Sequence, residues 1–356
     1  MSDCSAQITD AVAQAVSKKT PLVINGGGSK AHMLGRTIDC DNLQTLEVGQ
    51  HSAIVEYHPA ELVLTARAGT PLAEINATLS SEGQMLSFEP PTFGGRATLG
   101  GTLACNMSGP SRPWSGSIRD MVLGVQLING KAELLNFGGQ VIKNVAGYDV
   151  SRLQAGALGT LGVITQVSLK VMPLAEHSST LVYEVNAQQA LQIMNERRGA
   201  SKPLNAACWV QGNLYLRLSG TERAVSQTAK TWGGQVMPNA TEFWQQLREL
   251  EHPFFSTEDA LWRFSQGPTA AVQIGFGDIL LDWGGAQRWI KGEQQRDDLV
   301  KSAEVTGGHV SLYRGGDRSG DVNHPVNSAQ KTLHQRLKHA FDPLGIFNPG
   351  RLYSWM

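Results

Sequence analysis

The chain has 356 residues, 41% hydrophobic and 17% charged, with a net charge of −1. That length suits two domains around large cores, and the near-neutral balance excludes a protein that works through a global field on nucleic acid or anionic lipid. The four cysteines (Cys4, Cys40, Cys105, Cys208) lie far apart with no C-x-x-C pair, which argues against a zinc site, an iron–sulfur cluster or a disulfide framework.

In chain order, Ile8, Val12 and Val16 recur at helical spacing, with Thr9 and Asp10 as polar residues near the helix start. Leu22-Val23-Ile24 reads as a strand that ends in Gly26-Gly27-Gly28. The runs "TLEVG", "SAIVEYH" and "LVLTARAG" read as further strands. Thr70-Pro71 suits the start of a helix and Gly83 its end. "MVLGVQLINGKAELLNFGG" predicts a hairpin with a type I′ turn at Asn129-Gly130. "LGVITQVSLKVMP" alternates as a strand and closes the first domain near Pro173. Beyond it the glycine clusters thin, and seven of the eight tryptophans lie past residue 200. There "NAACWVQGNLYLRLSG" predicts a hairpin around Gly212-Asn213, and "TERAVSQTAKTW" and "SAQKTLHQRLKHAF" predict helices. Strands with interleaved helices make this second part α+β. No basic-then-apolar leader and no bilayer-length apolar run is visible, so a soluble cytoplasmic protein is expected.

A strand running into a glycine-rich loop usually turns backbone N–H groups toward a phosphate. The mononucleotide P-loop fails, because Ser29 precedes Lys30 where the motif needs the reverse. Gly26-x-Gly28-x-x-Ala31 satisfies the dinucleotide fingerprint, with Glu47 downstream, but "HMLGRTIDCDNLQ" carries no helical stripe to follow it. An ordinary tight turn explains that loop alone equally well. Two more glycine-rich segments, "PPTFGGRATLGGTLACNMSGP" and "FGGQVIKNVAGYDVSRLQAGALGTLGVIT", suggest instead a long ligand approached by backbone in several places. Thr98 and Asp149 can each cap a short helix whose start could receive an anionic group.

Together "GGGSK", "TLGGTLACNMSGP", "KNVAGYDVSRL", "GALGTLGVITQVSLK" and "FDPLGIFNPGRL" resemble the vanillyl-alcohol oxidase/PCMH flavoprotein superfamily. Within it the chain is similar to the smaller FAD-binding subunits of glycolate oxidases. The resemblance implies an α+β, two-domain PCMH-type FAD-binding fold. Residues 1–173 would bind FAD, and 174–356 would form a smaller α+β cap or partner domain whose C-terminal segment returns to the first. It also implies site roles. Asn25, Gly26, Gly27, Gly28 and Ser29 would wrap the pyrophosphate. Pro91, Thr92, Gly94, Gly95, Thr98, Leu99, Gly100 and Gly101 would run along pyrophosphate and flavin. Asn106 and Ser108 would stand near the isoalloxazine. Lys143, Gly147, Tyr148 and Asp149 would form the next cofactor-facing stretch, and Gly159, Thr160, Gly162 and Val163 would meet the adenine or flavin edge. Relatives with covalent FAD use a His directly after the glycines. Ser29 or Lys30 stands there and His32 further on, so the resemblance implies non-covalent FAD.

Relatives that oxidise 2-hydroxy acids carry a Gly-Asp-Gly-Asn-Leu-His strand and a Glu-His-Gly-x-Gly segment, for a divalent metal and a histidine base. This chain reads "LDWGGAQRWIKG" and "TGGHVSLYRGGD" at the corresponding places, so no metal site is expected and no catalytic residue is assigned. Candidates for a degenerate substrate pocket are His309 with Tyr313 and Arg314, Trp283 with Trp289, and Arg112 or Arg119. Strand, core and surface roles serve all of these at least as well. The expectation is a flavoprotein subunit that oxidises glycolate to glyoxylate with a larger FAD-binding subunit and an iron–sulfur subunit, with no nucleic-acid partner and no direct membrane insertion. The alternatives are a self-sufficient FAD-dependent 2-hydroxy-acid oxidoreductase, a scaffolding subunit with structural FAD and, third, a plain nicotinamide dehydrogenase.

Overall fold

Asp3 sets the start of the first helix. The computed structural model describes residues 3–38, 43–139, 148–256, 258–273 and 275–356. In it the helix Ser5–Lys18 begins earlier than Thr9 and Asp10 suggested. The Asp3 carboxylate accepts the Ser5 N–H at 3.0 Å and the Ser5 hydroxyl at 2.7 Å, and so satisfies donors that the helix cannot. Thr9 lies inside the helix and donates to the Ser5 carbonyl. Ile8, Val12 and Ala15 are its buried residues, while Val16 is only partly covered.

β1 (Leu22–Asn25) pairs in parallel with β2 (Gln44–Glu47). Among the described residues between them there is no helix, so the dinucleotide fingerprint lacks the element it needs. After β2 come β3 (Ile54–His58), β4 (Val63–Arg67), the short β5 (Gln84–Met85), β6 (Val122–Ile128), β7 (Leu134–Gly138), β8 (Val163–Lys170) and the short β9 (Met172–Pro173). A five-stranded antiparallel sheet takes the order β3-β4-β8-β6-β7, and β5 pairs with β9. β8 is buried along most of its length, more than its alternation suggested, because it is the central strand between β4 and β6. The helix Leu99–Cys105 packs on it through Leu99 and Leu103.

The hairpin β6–β7 exists, but its turn is not type I′. Ile128 pairs with Leu134, leaving a longer loop in which Asn129 Oδ1 accepts the N–H groups of Lys131 and Glu133 at 2.9 and 3.0 Å. Ala132, not Gly130, takes the positive φ. Gly130 is required for another reason: a Cβ there would lie 2.7 Å from the Asp342 backbone, where the C-terminal segment crosses. The two-residue turn with both φ positive occurs instead at Gln211-Gly212, between β11 and β12 as numbered next.

The remaining strands are β10 (His177–Glu184), β11 (Leu204–Val210), β12 (Asn213–Gly220), β13 (Gln235–Val236), β14 (Leu261–Ser265), β15 (Ile279–Asp282), β16 (Gln287–Lys291) and β17 (His309–Arg314). They form one eight-stranded antiparallel sheet in the order β13-β10-β12-β11-β15-β16-β14-β17. Alternation in β12 puts Leu214, Leu216 and Leu218 on its buried face. The predicted helices appear as Glu222–Trp232 and Ser328–Phe341. The fold is thus mixed helix and sheet, as the α+β expectation has it.

Two carboxylates join the halves. Glu89 takes a two-armed bond from Arg217 at 2.8 Å, and Glu249 accepts the N–H groups of Thr92 and Phe93 at 2.9 and 2.7 Å. The C-terminus then returns to the first half. Lys338, buried at the end of an otherwise exposed helix, donates to the Thr160 carbonyl (2.8 Å), Asp342 Oδ2 (2.7 Å) and the Phe347 carbonyl (2.7 Å). Asp342 in turn accepts the N–H groups of Ile346 and Phe347. Replacing Lys338 by Met strands a fully buried carboxylate, so Lys338→Met should cost roughly 3–5 kcal/mol. Denaturant unfolding would read this as a lowered midpoint, and a loss below about 1 kcal/mol would show that the pair does not hold this segment.

Candidate functional site

The loop after β1, the start of the helix Leu99–Cys105, the turn at 158–162 and the C-terminal segment converge on a cavity of about 690 Å³. That is the size of a cofactor site. Among the described residues, the backbone N–H groups of Gly26, Gly27, Gly28, Ser29 and Lys30 meet no protein acceptor, and all five residues line the cavity. An uninterrupted run of unclaimed donors on a concave wall is what a diphosphate requires.

Several glycines here serve chain packing. A Cβ on Gly27 would stand 1.7 Å from the Arg96 carbonyl oxygen, one on Gly26 would lie 2.8 Å from Thr98 Oγ1, and one on Gly159 would lie 2.7 Å from Asn348 Nδ2. Their absence of side chains lets three segments close on one another, and this convergence brings the N–H edge to the cavity. Asn348 fixes it from behind, accepting the Ile24 N–H at 2.8 Å and donating to the Leu158 carbonyl at 2.6 Å.

The cavity is also cationic. Lys30 is buried, donates to Ser29 Oγ at 3.1 Å and lies 5.6 Å from the Phe93 ring. Burial pushes its ammonium below the usual lysine range. Arg314, Arg318 and Arg351 line it too. Arg318 donates to the carbonyls of Gly35 and Leu312 and is lowered by burial to about 10. Arg351 holds the carbonyls of Arg36, Ala31 and Met33.

Asn25, Gly26, Gly27, Gly28, Ser29, Thr98, Gly100, Gly101, Gly159 and Gly162 line this cavity. Leu99, Thr160 and Val163 are wholly buried behind it, Thr160 as the acceptor for Lys338. Thr92 is turned away: its N–H and hydroxyl both go to Glu249. Gly94 and Gly95 have positive φ and open space where a Cβ would stand. Tyr148 is 96% exposed. Asp149 caps the helix Val150–Leu153 through the Arg152 N–H, and its carboxylate pairs with the Arg152 side chain at 3.3 Å, so it offers an anion no open helix end. Lys143 and Gly147 lie outside the described residues. His32 is exposed at the cavity rim. Lys30, Arg318, Asn348 and Arg351 were not singled out from the sequence, although the last two stand in the "FDPLGIFNPGRL" run. Arg314, weighed as a surface cation, faces the cavity.

Pro91, Asn106 and Ser108 line a second, smaller space of about 30 Å³ together with Arg263, Asp282, Trp283, Trp289 and Tyr313. Tyr313 is buried and bonds Met107 Sδ through its hydroxyl. Arg112 stacks over Trp283 at 4.6 Å, while Arg119 and His309 are exposed. Among the described residues no three His, Cys, Asp or Glu side chains gather as a metal site would need.

This geometry suits an FAD-binding protein, and the comparisons agree. The family described as "FAD binding domain" matches residues 3–138, and FAD is the cofactor. Over its length the chain is similar in fold to a solved alkyldihydroxyacetonephosphate synthase, with a TM-score of 0.66 at 14% identity, covering 97% of this chain and 75% of that one. It is 46% identical to the glycolate oxidase subunit GlcE of Escherichia coli (strain K12) over 99% of this chain and 98% of that protein. It is 28% identical to the glycolate oxidase subunit GlcD of Bacillus subtilis (strain 168), over 50% of this chain and 37% of that one. The chain belongs to the GlcE family of FAD-binding flavoproteins.

Two outcomes follow from the site. Gly27→Ala collides with backbone and should abolish FAD retention, whereas Gly28→Ala, with φ +65° but its nearest contact at 3.7 Å, should cost about 1–2 kcal/mol and keep flavin. Flavin-to-protein absorbance ratios after gel filtration check both. Asp282 accepts the Trp283 N–H at 2.7 Å and the Gln287 amide at 3.3 Å, yet burial pushes its carboxyl up to about 7. The folded value lies above the unfolded one of about 3.9, so its contribution to stability is complete below pH 4 and is lost as pH rises to 7. Between pH 5 and 8 the wild type should therefore lose roughly 2–3 kcal/mol more than Asp282→Asn. Parallel unfolding curves for the two proteins would contradict it.

Proposed function

We propose that this chain is the smaller FAD-binding subunit of a glycolate-oxidising complex, which converts glycolate to glyoxylate and removes two electrons and two protons. The carrying observation is near-full-length similarity to a glycolate oxidase subunit, joined to a cavity walled by unclaimed N–H groups and cations. The bound FAD supplies the redox chemistry. The chain's own residues hold it: Gly26 to Lys30 meet the diphosphate with oriented N–H groups, Lys30 and the arginines balance its charge, and the C-terminal segment closes the floor. The partners in this reading are a larger FAD-binding subunit, which carries a metal and a base, and an iron–sulfur subunit that takes the electrons onward. The flavin is held non-covalently, residues 1–173 and 174–356 act as FAD and partner domains, and the complex is cytoplasmic. No described helix is long and apolar enough to cross a membrane.

A second reading, a self-sufficient 2-hydroxy-acid oxidoreductase, is favoured by one feature, the small polar space beside the FAD cavity. An anaerobic visible spectrum separates the two. Bound flavin should stay oxidised when glycolate is added to this chain alone and bleach once the larger subunit is present. Bleaching of the chain alone would overturn the auxiliary role, and no bleaching in the full complex would overturn glycolate as substrate.

A further inference from the structure

Arg263 is a cation without a counter-charge. It sits on β14 opposite Trp289 of β16 and Ser311 of β17, with its guanidinium over the Tyr313 ring at 5.1 Å. Among the described residues it makes no hydrogen bond and no ion pair. Arg112 stands close enough to add to the positive potential. Its side chain is only partly buried, and a guanidinium that lines a small polar space with no protein carboxylate paired to it among the described residues is free to take an anion from outside.

Among the described residues, two that line the same small space carry a buried polar atom with no protein partner, Asn106 Oδ1 and Ser108 Oγ. Asn106 caps the helix Leu99–Cys105 in the left-handed conformation, which explains its backbone and leaves its amide oxygen unexplained. Asn106 Oδ1 accepts only, and Ser108 can donate or accept. A bare carboxylate would satisfy Arg263 and Ser108 and leave Asn106 without a donor, whereas a neighbouring hydroxyl supplies one. The volume of about 30 Å³ takes roughly two to three waters, which restricts an occupant to the smallest acids.

We infer that this pocket between the two sheets is a binding site for a small 2-hydroxy carboxylate, with Arg263 and Ser108 on the carboxylate and Asn106 on the hydroxyl. Asp282 also lines it, and burial, which raises its carboxyl to about 7, lessens the charge it sets against an acid there. The pocket adjoins the FAD cavity. Cys105 and Arg314 line the larger space and their chain neighbours Asn106 and Tyr313 the smaller, and Met33, which lines the larger, packs with Met107 and Tyr313 in one cluster. The inference takes its probe from the proposed function but requires no turnover by this chain.

The test is equilibrium binding to the FAD-loaded full chain, by calorimetry and by tryptophan fluorescence, since Trp283 and Trp289 wall the pocket. Glycolate should bind saturably, acetate more weakly, and ethylene glycol not at all. Arg263→Met should weaken glycolate roughly 10- to 100-fold with flavin content and melting temperature retained. Ser108→Val, which keeps Arg263 and fills the space, should abolish binding and covers the case in which Arg263→Met fails to fold. No saturable binding by the wild type, or unchanged affinity in a folded variant, would overturn the site. Turnover by the complete complex without acid binding here would sink this inference alone, and binding here without glycolate turnover by the complex would sink only the proposed function.

Discussion

A buried ammonium with three protons and three acceptors holds the cofactor cavity together. Lys338 reaches the carbonyl of the 158–162 turn, the carboxylate closing its own helix and the carbonyl of Phe347. No donor is wasted, which makes burial of the charge tolerable. The consequence spreads along the chain. With Phe347 fixed, Ile346 accepts the Leu22 N–H and Leu22 accepts that of Asn348, so the C-terminal segment lies beside β1 opposite β2. The side chain of Asn348 then sets Ile24 and Leu158 together, and the glycine loop starts from a braced strand end.

That bracing explains how a chain of net charge −1 builds a cavity suited to a dianionic diphosphate. The charge balance is global and the cavity is local. Its positive character comes from backbone dipoles, which leave no mark on composition, and from Lys30, Arg314, Arg318 and Arg351 meeting across most of the sequence. Arg318 and Arg351 are positioned by backbone carbonyls, which orient the two guanidinium groups along the cavity wall.

What could be read in advance follows from the same distinction. Strand runs, the Thr98 cap and the hairpin at 204–220 are written in neighbouring residues, and they were legible there. The glycines of the first loop were legible as a signal, but part of their cause was not: Gly27 is small for Arg96 and Gly159 for Asn348, partners no local pattern reveals. Gly130 misled for the same reason, since Asn-Gly suggests a tight turn and the crossing at Asp342 is what demands glycine. Asp3 outranked Thr9 and Asp10 because its carboxylate can also reach Arg67. Thr92 does not line the large cavity, and Glu249, far along the chain, claims both its donors.

The contact between the halves sharpens the functional reading. Along it, polar groups are matched: Glu89 with Arg217 and Ser111, Glu249 with Thr92, Phe93 and Arg248, and the Trp283 indole with the Gly109 carbonyl. Folding free energy accounts for such pairs without any ligand, because unmade bonds in a dry interface are costly. It does not account for Arg263, Asn106 Oδ1 and Ser108 Oγ, on residues that line one small space beside the larger cavity and that make no hydrogen bond or ion pair through these groups among the described residues. A contact that pairs Glu89, Glu249 and Trp283 across it and leaves one complementary set open suits a molecule of that set's chemistry, and stability alone would have filled the space with apolar side chains.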